Sequence, residues 1–370
     1  MPYEHLINFP KAAALEIPHT EGIKYAGSKL KMIPYIMRAI VPFTDIKTVL
    51  DGFSGTTRVA QAFAQLGYDT TANDISVWSE VFGKCYLLSQ KPDAFYQKIL
   101  DHLNVLPGKN GWFSEHYGGL ETGKKPFQLK NTQKLDAVRD EIEKLNLEDT
   151  DKSVILTSLI LALDSVDNTL GHYASYLAGW SARSHKELFL RLPKRFPILT
   201  QNRVIKDDIF NTVKNNVYDL VYFDPPYGSN NEKMPPSRVR YNAYYHLWTS
   251  VILNDKPDVF GKANRRADSK DTASPSVFES FKKSTRGHFV AMEALEQLIM
   301  RTQAHYVVLS YSSGGRATKQ DLLDILTSNG KLTAMLEIDY KKNVMSKMTW
   351  TNQWINTPCP HREYLFVLEK

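Results

Sequence analysis

Short apolar runs that end in an acid and open into a turn recur along this chain, separated by segments whose apolar residues fall at helical spacing. Val49-Leu50 leads into Asp51-Gly-Phe-Ser-Gly-Thr-Thr57, and Val59, Ala60, Phe63 and Leu66 follow three or four residues apart. That pattern predicts a buried strand, a glycine-bearing turn and the start of a helix. Thr71-Ala-Asn-Asp74 reads as a second strand ending in an acid, and Asp219-Leu-Val-Tyr-Phe223 as a third that runs into Asp224-Pro-Pro-Tyr227. Leu135, Val138, Ile142 and Leu145 recur at helical spacing, and Val154 to Leu163 is apolar enough for a buried helix. Interrupted by Thr157 and Ser158, it is too short to cross a bilayer. The alternation of strands and helices predicts an α/β fold with a mostly parallel sheet and flanking helices.

The strand ends carry the chemistry. Gly52 and Gly55 allow close approach of the chain to a nucleotide-like ligand, and an acid about twenty residues further on, Asp74, suits ribose hydroxyls. A dinucleotide fingerprint is absent, because Thr57 stands where a further glycine is expected. Without a ligand the segment reads as a structural strand-turn-helix. In Asp224-Pro225-Pro226-Tyr227 a carboxylate and a rigid turn emerge from a strand. The prolines donate no N–H, so the carbonyls stay free and the turn stiff. A carboxylate and the Pro225 carbonyl are two acceptors for the hydrogens of an aromatic exocyclic amine, a poor nucleophile whose lone pair has to be drawn out of the ring. Tyr227 offers a face for stacking an extruded base. The bland alternative is an ordinary Asp-Pro turn closing a strand.

Composition narrows the class. The chain has 370 residues, 42% of them hydrophobic, which suffices for a large core and more than one domain. Only Cys85 and Cys359 are present, so neither a disulfide framework nor a cysteine-ligated zinc site is expected. The N-terminus lacks a basic segment followed by an apolar signal core, and a reducing cytoplasm, bacterial or phage-encoded, is the expected setting. Forty-six Lys and Arg against 40 Asp and Glu give a formal +6, favouring approach to a polyanion. The basic residues gather in 183–195, 233–240 and 262–266. Arg183, Lys194, Arg195, Asn230, Lys233, Arg238, Arg240, Arg265 and Arg266 are the candidate nucleic-acid contacts, with a solvated surface as the alternative for each cluster.

Taken with Lys24-Tyr25-Ala26-Gly27-Ser28-Lys29, these segments resemble the Dam-like, alpha-arrangement (D12-type) DNA adenine N6-methyltransferases. The order of motifs carries the resemblance: the lysine-bounded N-terminal segment, the glycine-bearing loop, the acid-ended strand and, after a long insertion, Asp-Pro-Pro-Tyr. It extends over Tyr306-Val-Val-Leu-Ser-Tyr-Ser-Ser313 and Arg362-Glu-Tyr-Leu-Phe-Val-Leu368. The resemblance implies a Rossmann-like seven-stranded sheet with the strands around Thr333–Tyr340 and Tyr364–Leu368 as an antiparallel pair at one edge. It implies a catalytic domain of residues 1–80 and 204–370, with a largely helical target-recognition region at 81–203. S-adenosylmethionine would be the cofactor. Tyr25, Gly27, Ser28 and Lys29 would wall its methionine end, and Asp51, Phe53, Ser54 and Gly55 would form its loop. Asp74 would take the ribose, and Asp208, or alternatively Asp207, the adenine amine of the cofactor. Asp224, Pro225, Pro226 and Tyr227 would be catalytic.

The Gly-rich stretch 107–123, with Trp112, Phe113 and Tyr117, reads as an ordered loop whose aromatics belong to the core. Asn168 to Tyr176 is a candidate edge of a DNA cleft, Tyr244 to Trp248 a buried helix, and 255–287, polar throughout, a mobile segment that orders on DNA or is simply disordered. The expected activity is methylation of adenine N6 in double-stranded DNA, in a restriction-modification system with a separately encoded endonuclease, and without a membrane. Cytosine-N4 methylation of DNA and adenine methylation of RNA are the alternatives. A cytosine-carbon methylase is excluded by the position of Cys359, the only cysteine in a Pro-Cys pair, far from the cofactor loop.

Overall fold

The structure, a computed structural model, describes residues 16–228, 240–270, 276–285, 287–340 and 361–370. Its centre is a seven-stranded sheet built from β1 (Thr48–Asp51), β2 (Asp69–Asp74), β3 (Arg203–Lys206), β4 (Tyr218–Phe223), β5 (Ala304–Ser312), β6 (Lys331–Tyr340) and β7 (His361–Glu369). The order is β6-β7-β5-β4-β1-β2-β3. The pairs β1–β2, β2–β3, β1–β4 and β4–β5 are parallel, while β7 runs antiparallel between β5 and β6. The expected antiparallel pair is there, with β6 at the edge and the last strand inserted beside β5.

Alternation along the central strands divides the core into two layers. On one face Val49, Leu220, Tyr222, Val308 and Leu365 pack with α1 (Ile33–Ile40) and α2 (Arg58–Gln65). On the other, Leu50, Val221, Phe223, Leu309 and Phe366 pack with residues of α8 (Ile209–Asn215), α11 (Val290–Arg301) and α12 (Lys319–Thr327). Burial on both faces is why β1 and β4 read as continuous apolar runs. β2 is the exception, since Thr70, Thr71 and Asn73 are buried polar residues. Their groups are satisfied: Thr70 Oγ1 donates to Tyr68 O (2.9 Å), Asn73 Nδ2 to Gly52 O (3.1 Å), and Thr212 Oγ1 to Asn73 Oδ1 (2.7 Å).

Between β2 and β3 lie α3 (Val77–Gly83), α4 (Asp93–Val105), α5 (Trp112–Tyr117), α6 (Leu129–Lys144) and α7 (Asp149–Val166), the last two at the periodic segments. Phe113 and Tyr117 are buried, and Asp136 on α6 accepts from Phe113 N–H (2.9 Å) and Ser114 N–H (2.8 Å), pinning the start of α5. The helical lobe takes in more than the insertion. After α9 (Tyr241–Tyr244), α10 (His246–Leu253) sends Leu247, Trp248 and Val251 into the same core as Leu135, Ile155 and Leu163. Arg139 of α6, fully buried, donates to the carbonyls of Val251 and Ile252 (2.5 and 2.9 Å), satisfying the end of α10.

Of the segment expected to be mobile, 255–270 and 276–285 are folded. A two-stranded ribbon pairs Val259–Phe260 with Arg265–Arg266, and ion pairs supply the cohesion that the apolar pattern lacks.

Candidate active site

Strand order reverses between β1 and β4, and at such a switch point the loops leaving the strands' C-terminal ends part and form a crevice. The loop after β1 carries Asp51, which is fully buried; Oδ2 accepts from Ala60 N–H (3.0 Å), and Oδ1 has no protein partner. Burial, reinforced by the charge of Asp224, pushes this carboxyl well above the usual range. The loop is tied to β2, because Gly55 N–H donates to Asp74 Oδ2 (2.9 Å) while Ser76 N–H and Oγ donate to Asp74 Oδ1 (2.9 and 2.7 Å). Asp74 is half-buried with acceptor capacity to spare, and Ile75 beside it is 70% exposed. Thr57, where a glycine is usual, takes the left-handed conformation anyway, at φ 62°. A β-branched residue pays for that geometry with strain of roughly 1–3 kcal/mol. Phe53 packs edge-on to Phe278, their ring centroids 5.3 Å apart, and Ser54 is buried.

The N-terminal segment forms the facing wall. Tyr25 stacks on Tyr245 (4.6 Å between centroids) and on Tyr241 (5.3 Å), and Ala26 N–H donates to Tyr245 Oη (2.7 Å). Gly27 has φ +78°, and a Cβ there would lie 2.7 Å from Tyr241 Oη. Ser28 N–H closes the turn on Tyr25 O (3.1 Å), which delivers Lys29 inward.

Lys29 ends in the turn after β4. Its Nζ lies 3.0 Å from Asp224 Oδ1 and 2.5 Å from Glu363 Oε1 of β7, and it also contacts the Tyr227 hydroxyl. That hydroxyl reaches both acids: it contacts Asp224 and lies 2.6 Å from Glu363 Oε1. Burial, only partly countered by Lys29, raises the Asp224 carboxyl to about 6, and Glu363 adds to the rise. Burial alone would lower the Lys29 ammonium, but Asp224 and Glu363 outweigh it and hold it above its ordinary value. Pro225 is buried and Pro226 half-buried, and the turn is fastened by the loop after β5, where Arg316 N–H donates to Tyr227 O (2.9 Å). Tyr227 therefore presents its hydroxyl to the acids, with Lys29 Nζ 4.7 Å from its ring centroid.

Asp208 lies apart from this cluster as the N-cap of α8, its Oδ1 accepting from Phe210 N–H (2.8 Å). Asp207 accepts from Asn211 Nδ2 (3.0 Å). Several of the residues expected to contact nucleic acid make ion pairs or hydrogen bonds within the protein. Arg266 is buried and pairs with both oxygens of Asp255 (2.7 Å each) and with Asp268 (2.8 Å). Arg183 is held by Asp167 and the Thr169 carbonyl, and Arg195 by Asp93, Ser89 and the Lys91 carbonyl. Arg240 faces Glu279 at 3.4 Å, and Arg265 donates to Ser269 O (2.7 Å). Lys194 is 65% exposed. Asn230, Lys233 and Arg238 lie outside the described residues.

The sequence that builds this site, a largely buried carboxylate on a proline-stiffened turn across a crevice from an acid-tied glycine loop, is matched in known proteins. Residues 25–283 match the family described as D12 class N6 adenine-specific DNA methyltransferase. The chain belongs to this family. It is similar to the modification methylase StsI of Streptococcus sanguinis, with 29% identity across 86% of this chain and 48% of that protein. Type II methyltransferase M.NlaIII of Neisseria lactamica is 27% identical across 94% of this chain and 99% of its own, and M.FokI of Planomicrobium okeanokoites 24% across 94% and 53%. The chain thus spans about half the length of the StsI and FokI enzymes. No helix among the described residues is long and apolar enough to cross a membrane.

Four residues at the site escaped sequence reasoning. Glu363 sits inside a segment that marked only a strand, Tyr245 inside one that read as a buried helix, Tyr241 three residues before that segment, and Ile75 directly after an assigned acid. A lone acid at the start of an otherwise apolar strand was the available signal for Glu363.

Proposed function

We propose that this protein transfers a methyl group from S-adenosylmethionine to the exocyclic N6 of adenine in double-stranded DNA, as the modification partner of a separately encoded endonuclease. The observation that carries the reading is the convergence of Asp224, Lys29 and the Asp51 loop at one switch point of the sheet. The residues fit the cofactor: Asp51 Oδ1 is a buried acceptor that lacks a protein donor, suited to an ammonium group. Asp74 retains capacity for ribose hydroxyls, with exposed Ile75 beside it for an adenine ring. Tyr25, braced by Tyr241 and Tyr245, walls the methionine end together with Gly27, Ser28 and Lys29. Phe53, Ser54 and Gly55 line the loop, and Asp208 or Asp207 would meet the adenine amine.

When bound, the cofactor supplies an electrophilic methyl group on a sulfonium. The protein's part is to present the nucleophile. An extruded adenine would place its amine against Asp224 and the Pro225 carbonyl, whose acceptance of the two hydrogens aims the nitrogen lone pair outward. Lys29 must first yield Asp224. Methylation leaves a cationic amine, which sheds its proton readily to the ionised Asp224 or to water, so a dedicated base is unnecessary. Lys194, Asn230, Lys233, Arg238, Arg240 and Arg265 remain the proposed DNA contacts.

Asp224→Ala tests the assignment. Methyl transfer to duplex DNA should be lost, while calorimetric affinity for S-adenosylmethionine stays within a few-fold of the parent. Full activity in that variant would refute it.

A further inference from the structure

Glu363 is buried at the start of β7, and the residues that follow it, Tyr364 to Leu368, are buried too. Its single oxygen Oε1 gathers Lys29 Nζ (2.5 Å), the Tyr227 hydroxyl (2.6 Å) and Ser310 Oγ (3.2 Å). A carboxylate is costly to hold among apolar strand residues, and its partners all belong to the site or border it. With both acids ionised, Asp224, Glu363 and Lys29 sum to one negative charge. The ammonium can neutralise one acid fully, and which acid it neutralises decides what charge faces the substrate. Lys29 already lies nearer Glu363 (2.5 Å) than Asp224 (3.0 Å).

We propose that Glu363 is a positioning residue for methyl transfer: it holds the Lys29 ammonium and the Tyr227 hydroxyl away from Asp224 when an adenine amine enters, leaving Asp224 ionised and free to accept from that amine. The inference rests on the adenine-methylation reading above. In that reaction a bond forms between N6 and the methyl carbon while the methyl–sulfur bond breaks, its electron pair returning to sulfur. Positive charge thus leaves sulfur and appears on N6, from which it departs as a proton. A pocket of net negative charge stabilises that charge where it develops. Were Lys29 to stay on Asp224, its charge would cancel the one that has to face N6.

The test is Glu363→Gln in the full chain, which keeps the shape and an acceptor oxygen but removes the charge. The expected kcat is about 10–100-fold lower, less than the roughly 100–1,000-fold that losing a direct contact to a transition state costs, because Glu363 acts one contact away. The KM for DNA and the affinity for S-adenosylmethionine should stay near their parent values. The acid limb of the rate profile should move to lower pH. Asp224 is faced by Lys29 from the N-terminal segment, Tyr227 from its own turn, Tyr222 from β4, Asp51 from the β1 loop, Tyr241 from α9 and Glu363 from β7, and the substitution removes only the last of these, a repelling charge. A merely structural role would change stability and leave the acid limb in place. Since Glu363 acts chiefly through Lys29, removing its charge should cost far less kcat in the Lys29→Gln background than in the parent, so that Lys29→Gln and Lys29→Gln/Glu363→Gln differ by only a few-fold. That pair, which buries no lone ammonium, carries the test if Glu363→Gln fails to fold. Parent kcat and an unmoved acid limb in Glu363→Gln, or a further ten-fold loss in the double variant, would overturn the proposal. With Asp224→Ala inactive, either result leaves adenine methylation standing; a parent enzyme that methylates no adenine defeats the functional reading instead.

Discussion

Asp224→Asn should stabilise the protein while crippling it. The side chain is 14% exposed, and its carboxyl is raised from 3.8 to about 6 by burial, against the pull of Lys29. Two pKa units at about 1.4 kcal/mol each place the cost of the ionised form in the folded protein near 3 kcal/mol. The sign follows from proton binding. Because the folded-state pKa lies above the unfolded one, the folded protein binds the extra proton between pH 4 and 6. Stability from this group is fully present below pH 4 and is lost as pH rises through about 6. At pH 7.5 the parent bears the whole cost, whereas an isosteric amide bears none but gives up its ion pair with Lys29. The expected net gain is about 1–3 kcal/mol at pH 7.5, shrinking toward zero near pH 4. Urea denaturation of parent and variant across this range, followed by tryptophan fluorescence, measures it. Over the same change kcat should fall about 100-fold or more, since an amide cannot offset charge developing on N6. A variant less stable than the parent at pH 7.5, or a gap that does not close on acidification, would show that the Lys29–Asp224 attraction outweighs desolvation and that the electrostatic argument is wrong.

Gly27→Ala forces a left-handed conformation costing roughly 1–2 kcal/mol and drives a methyl group against Tyr241, so affinity for S-adenosylmethionine should fall at least about ten-fold with the circular dichroism spectrum retained. Arg266→Met should lower stability by about 2 kcal/mol, less than for a fully buried pair because Asp255 and Asp268 keep contact with water. In the same variant the salt dependence of DNA binding should be unchanged; a shallower slope would return Arg266 to the interface. Lys194→Ala should instead reduce the slope of log affinity against log salt by about 0.9, the signature of one lost phosphate contact.

The central sheet was legible because β1 and β4 are buried on both faces and carry unbroken apolar runs, and the turn after β4 was legible because two prolines after an acid end a strand. β2 was readable mainly through its terminal Asp74; its buried Thr and Asn residues pair within the fold in ways that hydrophobicity does not record. Glu363 could not be assigned from sequence, since an acid far along the chain meets Lys29 and Tyr227 only when β7 inserts beside β5. The basic clusters carry less free charge than the sequence suggests. Arg183, Arg195 and Arg266 are basic in sequence but neutralised in space by Asp167, Asp93 and Asp255. The folding of 255–270 was hidden likewise, because an ion pair rather than an apolar stripe anchors it. The share of α10 in the helical lobe depends on Arg139 reaching across from α6, a contact between distant segments.

The most direct measurement is to incubate the purified protein with radiolabelled S-adenosylmethionine and unmethylated duplex DNA, digest the DNA to nucleosides and identify the labelled one. Label in N6-methyladenosine of the deoxy series, absent with Asp224→Ala, is the predicted result. Label in N4-methylcytosine, or label in RNA but not in DNA, would contradict it.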